Sequence, residues 1–408
     1  MFKNRFLEAS QYSGHHGWFN PEILQIYISG TGNSLNELNE YQAQVLNHEL
    51  LHYLHFTSTT LGINFFKTNI RELSLVSEWK AAGITYERIN QIYNEVLNCN
   101  RQKSFLLVPS YYYVEGPLFN SFLDANDWGV GTSCGTFFDA KGDISDNNFI
   151  MNRFTTGDPR DDDRLIARIS MGTRYLFEHV IKFIDIFIDA ERDGLEQAYS
   201  DHYDNSYIGQ LLPYSALALL CANRGVLHIN AFILSAIISH ISLMVPLDWN
   251  ERTNTLKEFT ETRIRELFGR PDYSFSKAHP SVVVFALLEK ATELGSREVD
   301  FYGMLHRNDN FGELNQFISR LCGSLDLSVN DLFSFYRDEL NSFRSIEVDP
   351  RLDSLKHKLV EEFTSNLHIK QENFGKYIVE PHRTSYTPFI QGDRMVSPGN
   401  LLTYEEKE

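Results

Sequence analysis

The chain is poor in cysteine, in basic charge and in uninterrupted apolar sequence, and each shortage excludes a class of protein. Its four cysteines, Cys99, Cys134, Cys221 and Cys322, lie far apart and form no C-x-x-C pair. That argues against a disulfide framework or a zinc ribbon and for thiols in a reducing compartment, so the expected location is cytoplasmic. Residues Met1 to Gln11 hold no apolar run of signal-peptide length. Lys and Arg number 37 against 54 Asp and Glu, a formal charge of -17. A nucleic-acid partner would need clustered Lys and Arg to meet its phosphates, and none is expected. The most hydrophobic stretch, Val226 to Leu247, is interrupted by His228, Asn230, Ser235, Ser239, His240 and Ser242. It reads as a buried helix and not as a membrane span. The glycines from Gly129 to Gly135 lack the Lys-Ser/Thr ending of a phosphate loop. The acidic run Asp158 to Arg164 fits no EF-hand spacing. It suits an acidic loop and a helix N-terminus better.

What is present is a globular composition: 408 residues, 42% hydrophobic and 13% aromatic, with 30 Phe and 20 Tyr. A chain of this length buries a substantial core, in two to three sub-domains. Apolar spacing predicts a mainly α protein with a minor β component. Residues 1–249 form one region. It contains a loop-like Gly14 to Trp18, a strand over Ile23 to Ile28, and a β-prone insert over 105–138. A long apolar helix over Arg164 to Gly194 and two more over Leu211 to Leu247 follow. Residues 250–367 read as a helical C-terminal region, and 368–408 as an extended tail.

The informative stretch is His48-Glu49-Leu50-Leu51-His52. Residues four apart on an α-helix sit about 6 Å along the axis and roughly 40° round from one another. Two imidazoles so placed can converge on one cation, and Glu49 lies beside any water the cation holds. Ser34 and Glu37 have the spacing of a capping box, and Leu35, Leu38, Tyr41, Val45, Leu46, Leu50, Tyr53 and Leu54 keep helical period. The run Thr57 to Thr60 lowers helix propensity, and Gly62 offers a stop. Imidazoles and a carboxylate among leucines need partners, which a metal ion supplies.

This motif and its flanks, roughly residues 34 to 62, resemble the zincin metallopeptidases. The extension of the metzincin branch is absent, because His55 and Ser58 stand where that branch has Gly and His. The resemblance is therefore to a gluzincin-like site, with a zincin-like core, Zn2+ held by His48, His52 and a glutamate, and Glu49 as general base. Gly172-x-x-x-x-x-Glu178 also resembles a pattern of bacterial metallopeptidase-like families in which the glutamate is the third ligand. The chain departs from it at Ile181, where those families carry a small residue. Among the residues themselves Glu178 is favoured, since it sits in a helix apolar almost all round. Pairing with Arg174 one turn earlier would equally satisfy it. Glu72 and His55 are the rival ligands. Glu72 can return to the metal only if the chain reverses near Gly62.

His202, Tyr203 and Tyr207 are candidate donors to a developing oxyanion by residue type and neighbourhood alone. The expected activity is zinc-dependent peptide-bond hydrolysis acting on a specific intracellular protein, with a regulatory partner conceivable. Two competing expectations are a metal-dependent hydrolase of a non-peptide substrate and a non-enzymatic helical interaction protein.

Overall fold

Helical periodicity governs most of the chain. The computed structural model describes residues 17–20, 25–28, 38–80, 83–107, 128–138, 144–156, 165–206, 212–227, 229–269, 273–307, 311–379, 390–391 and 394–395. Strands β1 (Gly17–Asn20) and β2 (Gln25–Ile28) precede helices α1 (Glu40–Thr57), α2 (Thr60–Trp79) and α3 (Tyr86–Leu107). Strands β3 (Trp128–Phe138), β4 (Ile144–Thr156) and β5 (Leu165–Ser170) follow. Then come α4 (Thr173–Asp193), α5 (Leu195–Ser206), α6 (Leu212–Asn223), α7 (Ile229–Met244), α8 (Asn254–Phe268) and α9 (Pro280–Glu293). The last helices are α10 (Phe301–His306), α11 (Gly312–Gly323), α12 (Val329–Ser345), α13 (Asp353–Glu372) and α14 (Phe374–Val379), before two short strands, β6 (Ile390–Gln391) and β7 (Arg394–Met395). Among the described residues the protein is thus mainly α with a minor β component, as its apolar spacing predicts.

The chain divides into two compact units. The first comprises Met1–Lys103, Tyr336–Glu372 and Pro381–Glu408. Its β1–β2 hairpin pairs Trp18 with Tyr27 and Phe19 with Ile26. Phe19 sets its ring edge-on against Tyr53, at 6.2 Å, and Phe56, at 5.7 Å, seating the hairpin on α1. Gly17 and Trp18, expected in a loop, are therefore in a strand; His15 and His16 lie outside the described residues.

α1 begins later than its sequence suggests. Asn39 is the N-cap: its side chain accepts from the Gln42 amide at 2.9 Å, and Gln42 returns a bond to the Asn39 amide at 3.0 Å. The box expected at Ser34 and Glu37 lies outside the described residues. At the other end the break falls at Ser58 and Thr59, four residues before the expected stop. Thr59 caps α2 by accepting from the Gly62 amide at 3.2 Å. Gly62 is thus inside a helix. It is needed for close approach, since a Cβ there would lie 1.8 Å from the Phe56 carbonyl oxygen. After α2 the chain turns at Gly83, whose φ of 83° suits glycine.

The second unit comprises Ser104–Phe335 and Asn373–Glu380. Its sheet has the antiparallel order β3-β4-β5. The insert expected to be β-prone from residue 105 opens as the last turn of α3, and 108–127 lie outside the described residues. The helix expected over Arg164 to Gly194 is divided: Leu165, Ala167 and Ile169 alternate, are buried, and belong to β5, and the helix starts only at Thr173. α4 then packs against α5, α6 and α7, and Leu176, Phe177, Val180, Ile181, Phe183, Ile184 and Ile186 are buried almost completely. α7 is the apolar stretch weighed as a membrane span. Its described side chains are nearly all buried, and no helix among the described residues is long and apolar enough to cross a membrane. The tail expected to be extended from residue 368 instead completes α13 and forms α14, which packs on α4, α7 and α11.

Candidate metal centre

α1 presents the motif as its spacing requires. The imidazoles of His48 and His52 lie with ring centroids 5.0 Å apart and planes inclined at 75°. His52 and Glu49 are buried and His48 is half-buried. One ligand atom from each of His48, His52 and Glu178 lies within 4.8 Å of the others. No other group of three or more His, Cys, Asp or Glu side chains among the described residues is placed to hold an ion.

The donor set fits zinc in kind: His48, His52 and Glu178 would supply two imidazole nitrogens and one carboxylate oxygen. The same donors accept neighbouring first-row ions, and the affinity order alone does not choose zinc.

Of the two rival ligands, Glu72 is engaged elsewhere. Glu72 forms an ion pair with Lys103 and accepts from the Asn100 amide at 3.2 Å, so it belongs to the packing of α2 on α3. α1 ends at Thr57 and α2 begins at Thr60, and Glu72 on α2 keeps these partners. His55 is completely buried one turn beyond His52. Burial pushes its pKa well below the ordinary value, helped by Lys370 and His52, so the ring is neutral.

Glu178 lies between Phe177 and His179, both buried. His179 Nε2 accepts from the Leu217 backbone amide at 3.3 Å, which ties α4 to α6. Lys182 stands one turn beyond Glu178. Loss of hydration lowers its pKa, opposed by the negative charges of Asp185, Glu178 and Asp189. It is a cationic neighbour of the glutamate that the sequence reading passed over, although its i, i+4 spacing from Glu178 is the available signal. Of the candidate oxyanion donors, Tyr207 and the side chains of His202 and Tyr203 lie outside the described residues.

Polar contacts that sequence could not announce hold the far end of α1. The Tyr336 hydroxyl donates to the Thr57 carbonyl at 2.7 Å and lies 2.9 Å from the Phe363 carbonyl. Asn366 Nδ2 donates to Thr57 Oγ1 at 3.1 Å, and the Lys370 amine donates to the Ser58 carbonyl. Compared with known proteins, the chain matches no family model, no curated protein and no solved structure.

Proposed function

We propose that the protein is a zinc-dependent hydrolase of peptide bonds, with His48, His52 and Glu178 as ligands and Glu49 as general base. The observation that carries this reading is the approach of one ligand atom from each of these three residues to within 4.8 Å of the others. Zinc at such a site acidifies water and polarises the scissile carbonyl. Glu49 stands one residue after the first ligand, about 100° round the helix. Its carboxylate takes one proton from the attacking water as the C–O bond forms. It then delivers that proton to the amine nitrogen as the C–N bond breaks. Burial of Glu49 keeps competing solvent away from the carboxylate. The proposed substrate is a protein or peptide, and the resemblance of the motif to zincins is what selects an amide over other carbonyl compounds.

Elemental analysis of the purified protein beside His52→Ala tests the centre. About one zinc per chain, lost in the variant, is expected for a site of this kind. No metal in either protein after zinc is supplied overturns the reading and leaves a helical binding protein. Glu49→Gln tests the chemistry: metal content unchanged, with turnover of peptide substrates lowered by about 10²- to 10⁴-fold. Undiminished hydrolysis by that variant removes Glu49 from the mechanism. Turnover of esters but not peptides by the wild type reassigns the substrate class.

A further inference from the structure

The junction after α1 has a polar interior. Thr57, Ser58, Thr59 and Thr60 are fully buried. α13 contributes a stripe at four-residue spacing, Glu362, Asn366 and Lys370, each buried. Hydrogen bonds run from this stripe into the metal-bearing helix. Asn366 Nδ2 donates to Thr57 Oγ1, and that hydroxyl is 3.0 Å from the Tyr53 carbonyl and 3.1 Å from that of Leu54. Glu362 is bonded to the Asn366 side chain through one oxygen, while its Oε1 has no hydrogen-bond partner. A buried carboxylate oxygen without a donor is costly, whereas a neutral carboxylic acid at the same place is tolerated.

We propose that Glu362 is a proton-linked positioning residue, whose neutral form keeps Asn366 on Thr57 and so holds the C-terminal end of the His48–His52 helix. Ionisation leaves a charge shared between an oxygen bonded to Asn366 and Oε1, to which no group donates. The charge then draws the Asn366 amide more strongly towards itself, at the expense of its bond to Thr57. The other titratable groups of this interior are Lys370 on α13, His55 on α1 and Tyr336 on α12, with the Lys67–Glu339 ion pair joining α2 to α12 at 2.6 Å.

Burial pushes the Glu362 carboxyl up to about 8 from an ordinary 4.5, and the bond from Asn366 offsets this only in part. Because the folded value lies above the unfolded one, the folded state retains the proton where the unfolded chain has lost it. The contribution of this group is therefore complete below about pH 4.5 and is lost as pH rises through about 8.

The effect on metal binding rests on the proposed ligand role of His48 and His52, whereas the proton site does not. Wild type and Glu362→Gln are compared in two measurements from about pH 6 to about pH 9. One is the thermal midpoint of chelator-treated protein, and the other is zinc affinity by competition with a chromogenic chelator. The midpoint of the wild type is expected to fall relative to the variant as pH rises. Its zinc affinity is expected to fall by about threefold or more relative to the variant at the alkaline end. Parallel pH profiles overturn the proposal. A midpoint difference with no change in relative zinc affinity also overturns it, by reducing Glu362 to an isolated buried acid. Failure of the wild type to bind zinc defeats the proposed function and the coupling together, while the metal-free midpoints still decide the proton site. If the variant does not fold, infrared difference spectra of the wild type give the answer. A carboxylic C=O band disappearing near pH 8 supports the site, and no band titrating above pH 6 overturns it.

Discussion

Two residues near the end of α1 show how much a single side chain decides here. At Gly62 a methyl group would meet the Phe56 carbonyl, which is backbone and cannot swing aside. Gly62→Ala is expected to lower stability by about 1–3 kcal/mol, read as a shift in urea midpoint. In the sequence this glycine looks like a helix stop, because a pattern of residue types does not show which backbone passes nearby. Lys370 makes the second case. Burial holds its pKa well below the ordinary value, so the folded protein binds fewer protons here than the unfolded chain. Stability from this group rises with pH through the window between the lowered value and the ordinary 10.5, and is lost as pH falls through the lowered value. Lys370→Met should remove that rise. Denaturant midpoints of the two proteins at about pH 7 and pH 10 measure it, and equal slopes would contradict the burial of an uncharged amine.

At the scale of elements, α1 is fixed at both ends by contacts of different origin. The Asn39–Gln42 box is local in sequence. Asn39→Ala should cost about 1 kcal/mol, with faster amide exchange confined to the first turn of α1. The other end depends on Tyr336, far away in sequence. Tyr336→Phe leaves two buried carbonyls without that donor and should cost about 1–3 kcal/mol in a urea titration. An effect within experimental error would show that solvent replaces the hydroxyl. β5 illustrates why element type was harder to read than helix phase. A short apolar run such as Leu165 to Ile169 fits a strand or the first turns of a helix equally well, and pairing with β4 decides between them.

For the whole molecule, zinc binding to the folded state alone must appear as stability. Zinc at 100 times its dissociation constant should add about 2.7 kcal/mol, and a chelator should remove it. His52→Ala should show neither response in thermal scans, and an equal response in that variant would place the ion elsewhere.

Local sequence suffices for the mainly helical class, the phase that sets His48, Glu49 and His52 on one helix, and the lack of clustered basic charge. These follow from a repeat of 3.6 residues and bonds reaching four residues along the chain, so neighbouring residues suffice to establish them. The carboxylate partner of the two imidazoles is beyond the reach of local sequence. Glu72 and Glu178 are both glutamates on helices; the apolar surroundings of Glu178 favour it, but local sequence does not show which of them reaches the imidazoles. Packing of α2 on α3 puts Lys103 and Asn100 against Glu72, whereas one ligand atom of Glu178 lies within 4.8 Å of one from each histidine. The buried stripe of Glu362, Asn366 and Lys370 is of the same kind. Helical spacing aligns the three residues, but their burial, and the carboxylate oxygen without a partner, come from the helices packed over them.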